Sequence, residues 1–259
     1  MRGPLATCPK VMLLPSFPSP LHAIVIGHSG GIGAALLAAL LQDEDVAQVT
    51  AGSRRLTGQV HPKLSEQSLD ITDEASIFHF AEMAGNAAEP PRLIIVATGL
   101  LHDGTDFGPE KSIRALDADR LQRAFLVNAI GPALVAKHLL PIMPRTGKAV
   151  FAALSARVSS VSDNRLGGWH GYRASKAALN MMIRNLHIEQ SAKAPDTLCI
   201  GLHPGTVDTG LSAPFQRGVA EGKLFTTAQS AGHLFKVIDG LGAGDGGKLW
   251  AWDGKEVAP

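Results

Sequence analysis

The sequence predicts an α/β fold, a single doubly wound parallel sheet with helices on both faces. Three observations predict it. From residue 21 onward, short apolar runs alternate with helical patterns, and that order implies parallel strands joined by right-handed crossovers. The first run passes straight into a glycine-rich turn and then a helix, an arrangement that offers backbone N–H groups to a phosphate. A later helix opens on Tyr172 and Lys176, four residues apart and so on one face.

Residues 21–26 suit a strand buried on both faces. Residues 32–41, rich in Ala and Leu, read as a helix. Residues 47–51 and 64–69 read as the second and third strands. Thr72 is placed to cap a helix over 73–84, with Asp73 and Glu74 in its favourable first turn. Residues 92–97, with Leu-Ile-Ile-Val inside, are a buried strand. A long helix follows from about 119 to 140, and Pro132 within it predicts a kink. Residues 148–154 form a strand, 172–190 a helix, 198–202 a strand, and 249–252 a last, edge strand. In such a sheet a ligand sits outside the carboxyl ends of the strands, where their order reverses.

Composition excludes several classes. The 259 residues carry 24 Lys and Arg against 23 Asp and Glu. That balance supports neither a nucleic-acid nor an anionic membrane partner. Two cysteines, Cys8 and Cys199, are too few for a disulfide scaffold and suit a reducing, cytoplasmic setting. No apolar run reaches the roughly eighteen residues of a transmembrane helix. No histidine pair has helical metal-ligand spacing, so no metal site is expected. Residues 1–20, with Pro4, Pro9, Pro15, Pro18 and Pro20, read as a loose arm, or else as a cleaved targeting segment. Residues 21–259 are then one domain.

The glycine-rich turn is Gly27-His28-Ser29-Gly30-Gly31-Ile32-Gly33. Glycine permits a sharp turn, close approach to a pyrophosphate, and tight helix–strand packing. The spacing fits G-x-x-x-G-x-G through Gly27, Gly31 and Gly33, since Leu36 stands where a G-x-G-x-x-G pattern needs its third glycine. A tight turn without a ligand is the alternative. The second strand ends at Gly52-Ser53-Arg54-Arg55, with no acid for a ribose 2′-hydroxyl. Ser53 can donate a hydrogen bond and Arg54 a charge-assisted one to a 2′-phosphate. The pattern therefore favours NADP(H) over NAD(H), against the alternative that the arginines are merely solvated. Asp70 and Ile71 fall where they would flank the adenine, and Asp70 also suits turn chemistry.

Tyrosine titrates near ~10, and a neighbouring ammonium lowers that value. Tyr172, the only tyrosine in the chain, would then exchange a proton with a carbonyl or alcohol oxygen. An ordinary exposed helix pair is the alternative.

Together these residues resemble the short-chain dehydrogenase/reductase family over residues 21–255. The string from Ser155-Ala156-Arg157-Val158 through Asp163-Asn164-Arg165-Leu166-Gly167-Gly168-Trp169 to Tyr172-Arg173-Ala174-Ser175-Lys176-Ala177-Ala178-Leu179-Asn180 is similar to its C-factor-like and sniffer-like carbonyl reductase branch. So is the tail Trp252-Asp253-Gly254. The resemblance implies a Rossmann-type fold and a cofactor turn at 26–33, with Ile26 replacing a threonine and Ser29 and Ile32 inside it. The family's N-N-A-G segment is similar to Val96-Ala97-Thr98-Gly99, where only the glycine survives. Asn128 would support a lysine–water proton relay. Pro204-Gly205-Thr206-Val207-Asp208-Thr209 resembles the segment that holds the nicotinamide carboxamide, through Pro204, Gly205, Val207 and Thr209. Lys176 would also hold the nicotinamide ribose. Most members carry Ser-Ser after the fifth strand. Here the pair is Ser155-Ala156, so Ser155 is the first candidate to orient a carbonyl, and Ser159, thirteen residues before Tyr172, is the second.

Other positions stay open. His203 is a hydrogen-bonded structural histidine or faces the cofactor. Trp169 and His170 line a pocket, or Trp169 packs in the core. Arg157 and Arg173 pair with Asp163 or Asp208. Residues 211–225 fall where the family places its substrate lid, and Phe215 and Phe225 suggest an apolar substrate. The resemblance also implies a homodimer or homotetramer. The reading is reduction of an aldehyde or ketone by NADPH, with Asn128, Ser155, Tyr172 and Lys176 as the catalytic set. A cofactor-binding, C-factor-like signalling protein with little turnover is the rival, motivated by the altered Ser155-Ala156 and 96–99 segments.

Overall fold

A computed structural model describes residues 12–104 and 106–259 of the chain. Cys8 and the first part of the expected arm lie outside them. The strands are β1 (Leu21–Ile26), β2 (Val46–Ser53), β3 (Leu64–Ser68), β4 (Leu93–Val96), β5 (Ala149–Leu154), β6 (Thr197–His203), β7 (Thr206–Val207), β8 (Leu224–Phe225), β9 (Leu249–Ala251) and β10 (Glu256–Val257). The helices are α1 (Gly31–Gln42), α2 (Glu74–Gly85), α3 (Ala118–Phe125), α4 (Gly131–Leu139), α5 (His170–Ser191) and α6 (Thr227–Gly240). The main sheet runs β10-β9-β6-β5-β4-β1-β2-β3, and β7 and β8 pair separately. Every main-sheet pairing is parallel except β9 with β10. The strand order reverses between β1 and β4, so the carboxyl ends of those two strands mark the ligand crevice.

Alternation along each central strand feeds two cores. Ala23 and Val25 of β1 pack with Leu36 and Leu40 of α1 and with Leu234 and Phe235 of α6. Ile24 and Ile26 point the other way, toward Phe80 of α2, Leu139 of α4, and Leu179 and Ile183 of α5. The doubly wound sheet expected from the sequence is the one observed. His22 sits fully buried in β1 and is satisfied: Nδ1 meets the Glu89 carbonyl at 2.8 Å and Nε2 the Thr50 hydroxyl at 2.9 Å.

Several local expectations change. Asp73, not Thr72, caps α2 by accepting the Ala75 N–H at 3.0 Å, because Thr72 is drawn back to Asp70. The kink at Pro132 takes the form of a π-helical turn over Leu126–Ile130, closed by the Gly131 N–H on the Leu126 carbonyl. Pro132 then falls in the first turn of a new helix, where its missing N–H costs little. By length and composition the run Ala118–Ile142 could cross a membrane, yet Val135, Ala136 and Leu139 within it are fully buried against the sheet. Strand β9 is not the edge, because the turn at Asp253-Gly254 returns the chain as antiparallel β10. Helix α6 was not anticipated, although its capping box at Thr226 and Gln229 is visible in the sequence.

Residues 12–20 are not loose. Leu14 and Phe17 are buried in the core that α1 and α6 share. The Leu13 N–H donates to Asp43 and the Ser16 N–H to Asp239, both at 2.8 Å. Lys148 donates to the Ser16 hydroxyl at 2.8 Å and stands 5.0 Å over the Phe17 ring. The prolines limit regular structure here but leave two apolar side chains free to dock. Phe17→Ala should therefore cost about 3 kcal/mol in urea unfolding. An unchanged midpoint would mean that this segment lies outside the fold.

Candidate active site

The carboxyl end of β1 turns into α1 with almost no free space. Gly27 adopts φ +87° and its N–H donates to the Gly52 carbonyl at 2.7 Å. A Cβ at Gly33 would lie 2.2 Å from the Gly27 carbonyl oxygen, and one at Gly31 would lie 2.7 Å from the Thr209 side chain. Gly30 ends the turn and has no side chain to cap α1. The first N–H groups of α1 therefore have no side-chain cap of their own and point at the crevice.

Two adjoining clefts open there, of about 460 and 280 Å³, and they share Gly30, Ala97, Thr98 and Gly99. The larger is bordered by Gly27, Ser29, Ser53, Arg54, Asp70 and Ile71. Asp70 accepts both the backbone and hydroxyl bonds of Thr72; burial alone would raise its carboxyl, but these bonds and Arg54 hold it below the usual range. The Arg54 loop is fixed from behind. Ser53 donates to the Arg55 carbonyl at 2.5 Å. Glu66 of β3 accepts the Thr57 N–H at 2.6 Å, its hydroxyl at 2.8 Å and the Gly58 N–H at 3.0 Å, and meets His28 at 2.5 Å. Partial burial opposes ionisation of Glu66, and these bonds overcome it, bringing its pKa to about 2.

The smaller cleft gathers Gly31, Ile32, Ser155, Tyr172, Lys176, Pro204 and Thr209. Four sequence-derived candidates, Gly33, Asn128, Gly205 and Val207, border neither cleft. Two of them make contacts that brace the site. Asn128 Oδ1 accepts the Leu100 N–H at 2.8 Å, while its Nδ2 donates to the Leu100 carbonyl at 2.8 Å and to Ser175 at 3.0 Å. Gly205 makes room for Phe225, whose ring would stand 2.7 Å from a Cβ there. Phe225 is buried against Trp252, which corrects its expected part in a substrate lid.

Ser155 lines the cleft and Ser159 does not. Asn180 ties them together: Ser155 donates to its Oδ1 at 2.8 Å, and its Nδ2 donates to Ser159 at 2.7 Å. Trp169 stands edge-on to Tyr172 at 6.3 Å and to Phe215 at 4.9 Å; it is half-buried and lies outside the two main core clusters. His102, which the sequence did not single out, meets the Gly210 and Leu211 carbonyls at 3.0 and 3.1 Å and anchors the segment containing Phe215. Arg157 pairs with Asp163 at 3.6 Å, as expected. Arg173 instead donates to the Gly168 and Val158 carbonyls, both at 3.1 Å. His203 is not the satisfied histidine expected: its Nδ1 is buried without a partner among the described residues, and burial, aided by Arg157, lowers its pKa to about 4.

The Tyr172–Lys176 pair departs from expectation in its electrostatics. Lys176 Nζ donates to the Leu154 carbonyl at 2.7 Å, and burial lowers its pKa to about 7. Burial raises Tyr172 to about 12. In the protein alone, desolvation outweighs the ammonium's pull on the phenol. The clefts fit a dinucleotide through the glycine cradle, Arg54, and the Thr98 hydroxyl, which is buried with no partner among the described residues.

The Lys176 shift makes stability depend on pH. Lysine's ordinary value is 10.5, and here it is about 7. Between those values the unfolded chain holds a proton that the folded chain lacks, so stability rises with pH across the window. Lys176→Met should raise stability at pH 7 by about 2–4 kcal/mol and flatten that rise. Denaturant midpoints against pH would show it, and a parallel, unshifted curve would contradict it.

Comparison with known proteins agrees with this geometry. The family model for short chain dehydrogenase matches residues 21–219. A 1-hydroxy-2-glutathionyl-2-methyl-3-butene dehydrogenase of Rhodococcus sp. is 34% identical over 142 residues, 55% of this chain and 60% of that protein. C-signal of Myxococcus xanthus is 31% identical over 142 residues, 55% of this chain and 80% of that protein. The solved NADPH-bound carbonyl reductase from chicken fatty liver superposes with TM-score 0.81 and 26% identity, covering 93% of this chain and 99% of that one. The carbonyl reductase Sniffer of D. melanogaster shares the fold, with TM-score 0.79 and 21% identity over 93% of this chain and 100% of that one. The chain belongs to the short-chain dehydrogenase/reductase family of oxidoreductases.

Proposed function

We propose that this chain is an NADP(H)-dependent carbonyl reductase that converts an aldehyde or ketone to an alcohol. The observation that carries the reading is a pair of clefts that share Gly30, Ala97, Thr98 and Gly99, with Arg54 in one and Ser155, Tyr172 and Lys176 in the other. The bound nicotinamide would supply the hydride for the carbonyl carbon.

The chain's own residues account for the rest. Arg54, with no acid beside it on the β2 end, favours a 2′-phosphate. Tyr172 is protonated at neutral pH, but burial makes it a reluctant donor in the protein alone. A positive charge brought into the cleft would lower its pKa toward the useful range. Lys176, buried at the same end, would bind the ribose hydroxyls. Ser155 borders the cleft and can turn its O–H from Asn180 to the carbonyl oxygen. Ser159 is engaged with Asn180 and the Ala156 carbonyl, which favours Ser155 for this task. Trp169, in ring contact with Tyr172 and Phe215, places apolar surface beside the phenol. NADPH bound to the chicken enzyme supports the cofactor.

A second reading, a cofactor-binding signalling protein with little turnover, draws on Ala156 in the usual serine position and on C-signal among the relatives. NADPH oxidation against a panel of aldehydes, ketones and quinones separates the two. Turnover by the wild type that falls by a factor of ~10²–10⁴ in Tyr172→Phe is the expected result. Turnover unaffected by Tyr172→Phe would overturn the assignment of the proton donor, and NADPH binding without turnover across the panel would favour the second reading.

A further inference from the structure

We propose that Glu110 is a positioning residue that clamps the start of α5 and so holds Tyr172 against the cleft; the catalytic part of this rests on the Tyr172 role proposed above. Glu110 lies on the loop between β4 and α3 and is only 6% exposed. Its Oε2 accepts the Gly171 N–H at 3.0 Å, and its backbone carbonyl accepts the Trp169 N–H at 2.5 Å. One residue thus grips the chain on both sides of His170.

Helix α5 needs such a grip because it lacks a local cap. Trp169, just before it, sits at φ +52° with no side-chain capping bond. That is a strained position for a bulky residue, and it persists only where surrounding contacts enforce it. The first N–H groups of a helix need acceptors, and most helices obtain one from the residue at the cap. Here the acceptor comes from sixty-one residues away in sequence. The space is made for it: a Cβ at Gly171 would lie 2.8 Å from Glu110 Oε1 and 3.2 Å from Leu121. Tyr172 is the next residue, and it shares the wall of a small cavity with Glu110, Phe107 and Ala124. A displaced α5 start would carry the phenol with it, while Gly27 and Arg54, which border the other cleft, would stay in place.

The test uses Glu110→Ala, Glu110→Gln and Gly171→Ala, the last attacking the same contact from the opposite side. Tyr172 is the chain's only tyrosine, so ring ¹³C labelling of tyrosine gives one signal that reports its position with or without turnover. Glu110→Ala and Gly171→Ala should each lower kcat at least tenfold, a factor of ~10 or more, with KM for NADPH unmoved, and should shift the ring signal. Glu110→Gln keeps an acceptor oxygen and should restore both. A wild-type kcat and an unmoved signal in Glu110→Ala, or a Glu110→Gln as impaired as the alanine variant, would overturn the clamp. If Glu110→Ala fails to fold, the contrast between Gly171→Ala and Glu110→Gln decides. If the wild type turns nothing over, the reductase reading fails, and the ring signal alone still supports or overturns the clamp.

Discussion

The turn from β1 into α1 can close only because Gly33 has no side chain. A single Cβ there would meet the Gly27 carbonyl at 2.2 Å, well inside contact distance. Everything downstream follows from that closeness. It sets α1 against the sheet so that Leu36 and Leu40 reach the core. It leaves the first N–H groups of α1 aimed at the crevice where the strand order reverses. It also brings Gly31 against Thr209, so the loop after β6 is braced on the same turn. The phosphate-facing end of the site and the packing of one helical layer are thus a single geometric solution.

Desolvation governs the other end. Tyr172 and Lys176 project from one face of α5 into a site where burial moves them in opposite directions, the phenol up and the ammonium down. Both shifts favour the neutral forms. Helical spacing alone suggested a phenol activated by its neighbour, and burial acts in the opposite direction. Strain and buried polar groups occur near the pair: Trp169 at positive φ, and the Thr98 hydroxyl and His203 Nδ1, each without a partner among the described residues. Departures from local rules of this sort are characteristic of sites selected for function over stability.

What the sequence made legible was what short-range chemistry dictates. β4 and β5 are continuous apolar runs, and β1 is one but for His22, short enough with their flanking turns to read as buried strands. The glycines of the turn and the Tyr172–Lys176 spacing are likewise local. The contacts that finish the site are not local. Glu110 meets Gly171, Asn128 meets Leu100, Glu66 meets His28, and His102 meets Gly210. No periodicity signals a bond between residues so far apart. Two further elements carry local signals. The Thr226 and Gln229 capping box announces α6, hidden by that helix's mixed polarity, and Asp253-Gly254 announces the hairpin that makes β10 the edge. The Pro-rich start misled for another reason: proline forbids helix and ladder but says nothing about whether Leu14 and Phe17 find a core.

The central claim is that one crevice holds a 2′-phosphorylated dinucleotide by its Arg54 end. Calorimetric titration of the purified protein with NADPH and with NADH tests it most directly, with Arg54→Ala alongside. The account predicts tighter binding of NADPH than of NADH, by a factor of roughly ten or more, with that preference largely lost in Arg54→Ala. Equal affinity for the two cofactors in the wild type, or binding of neither, would contradict it.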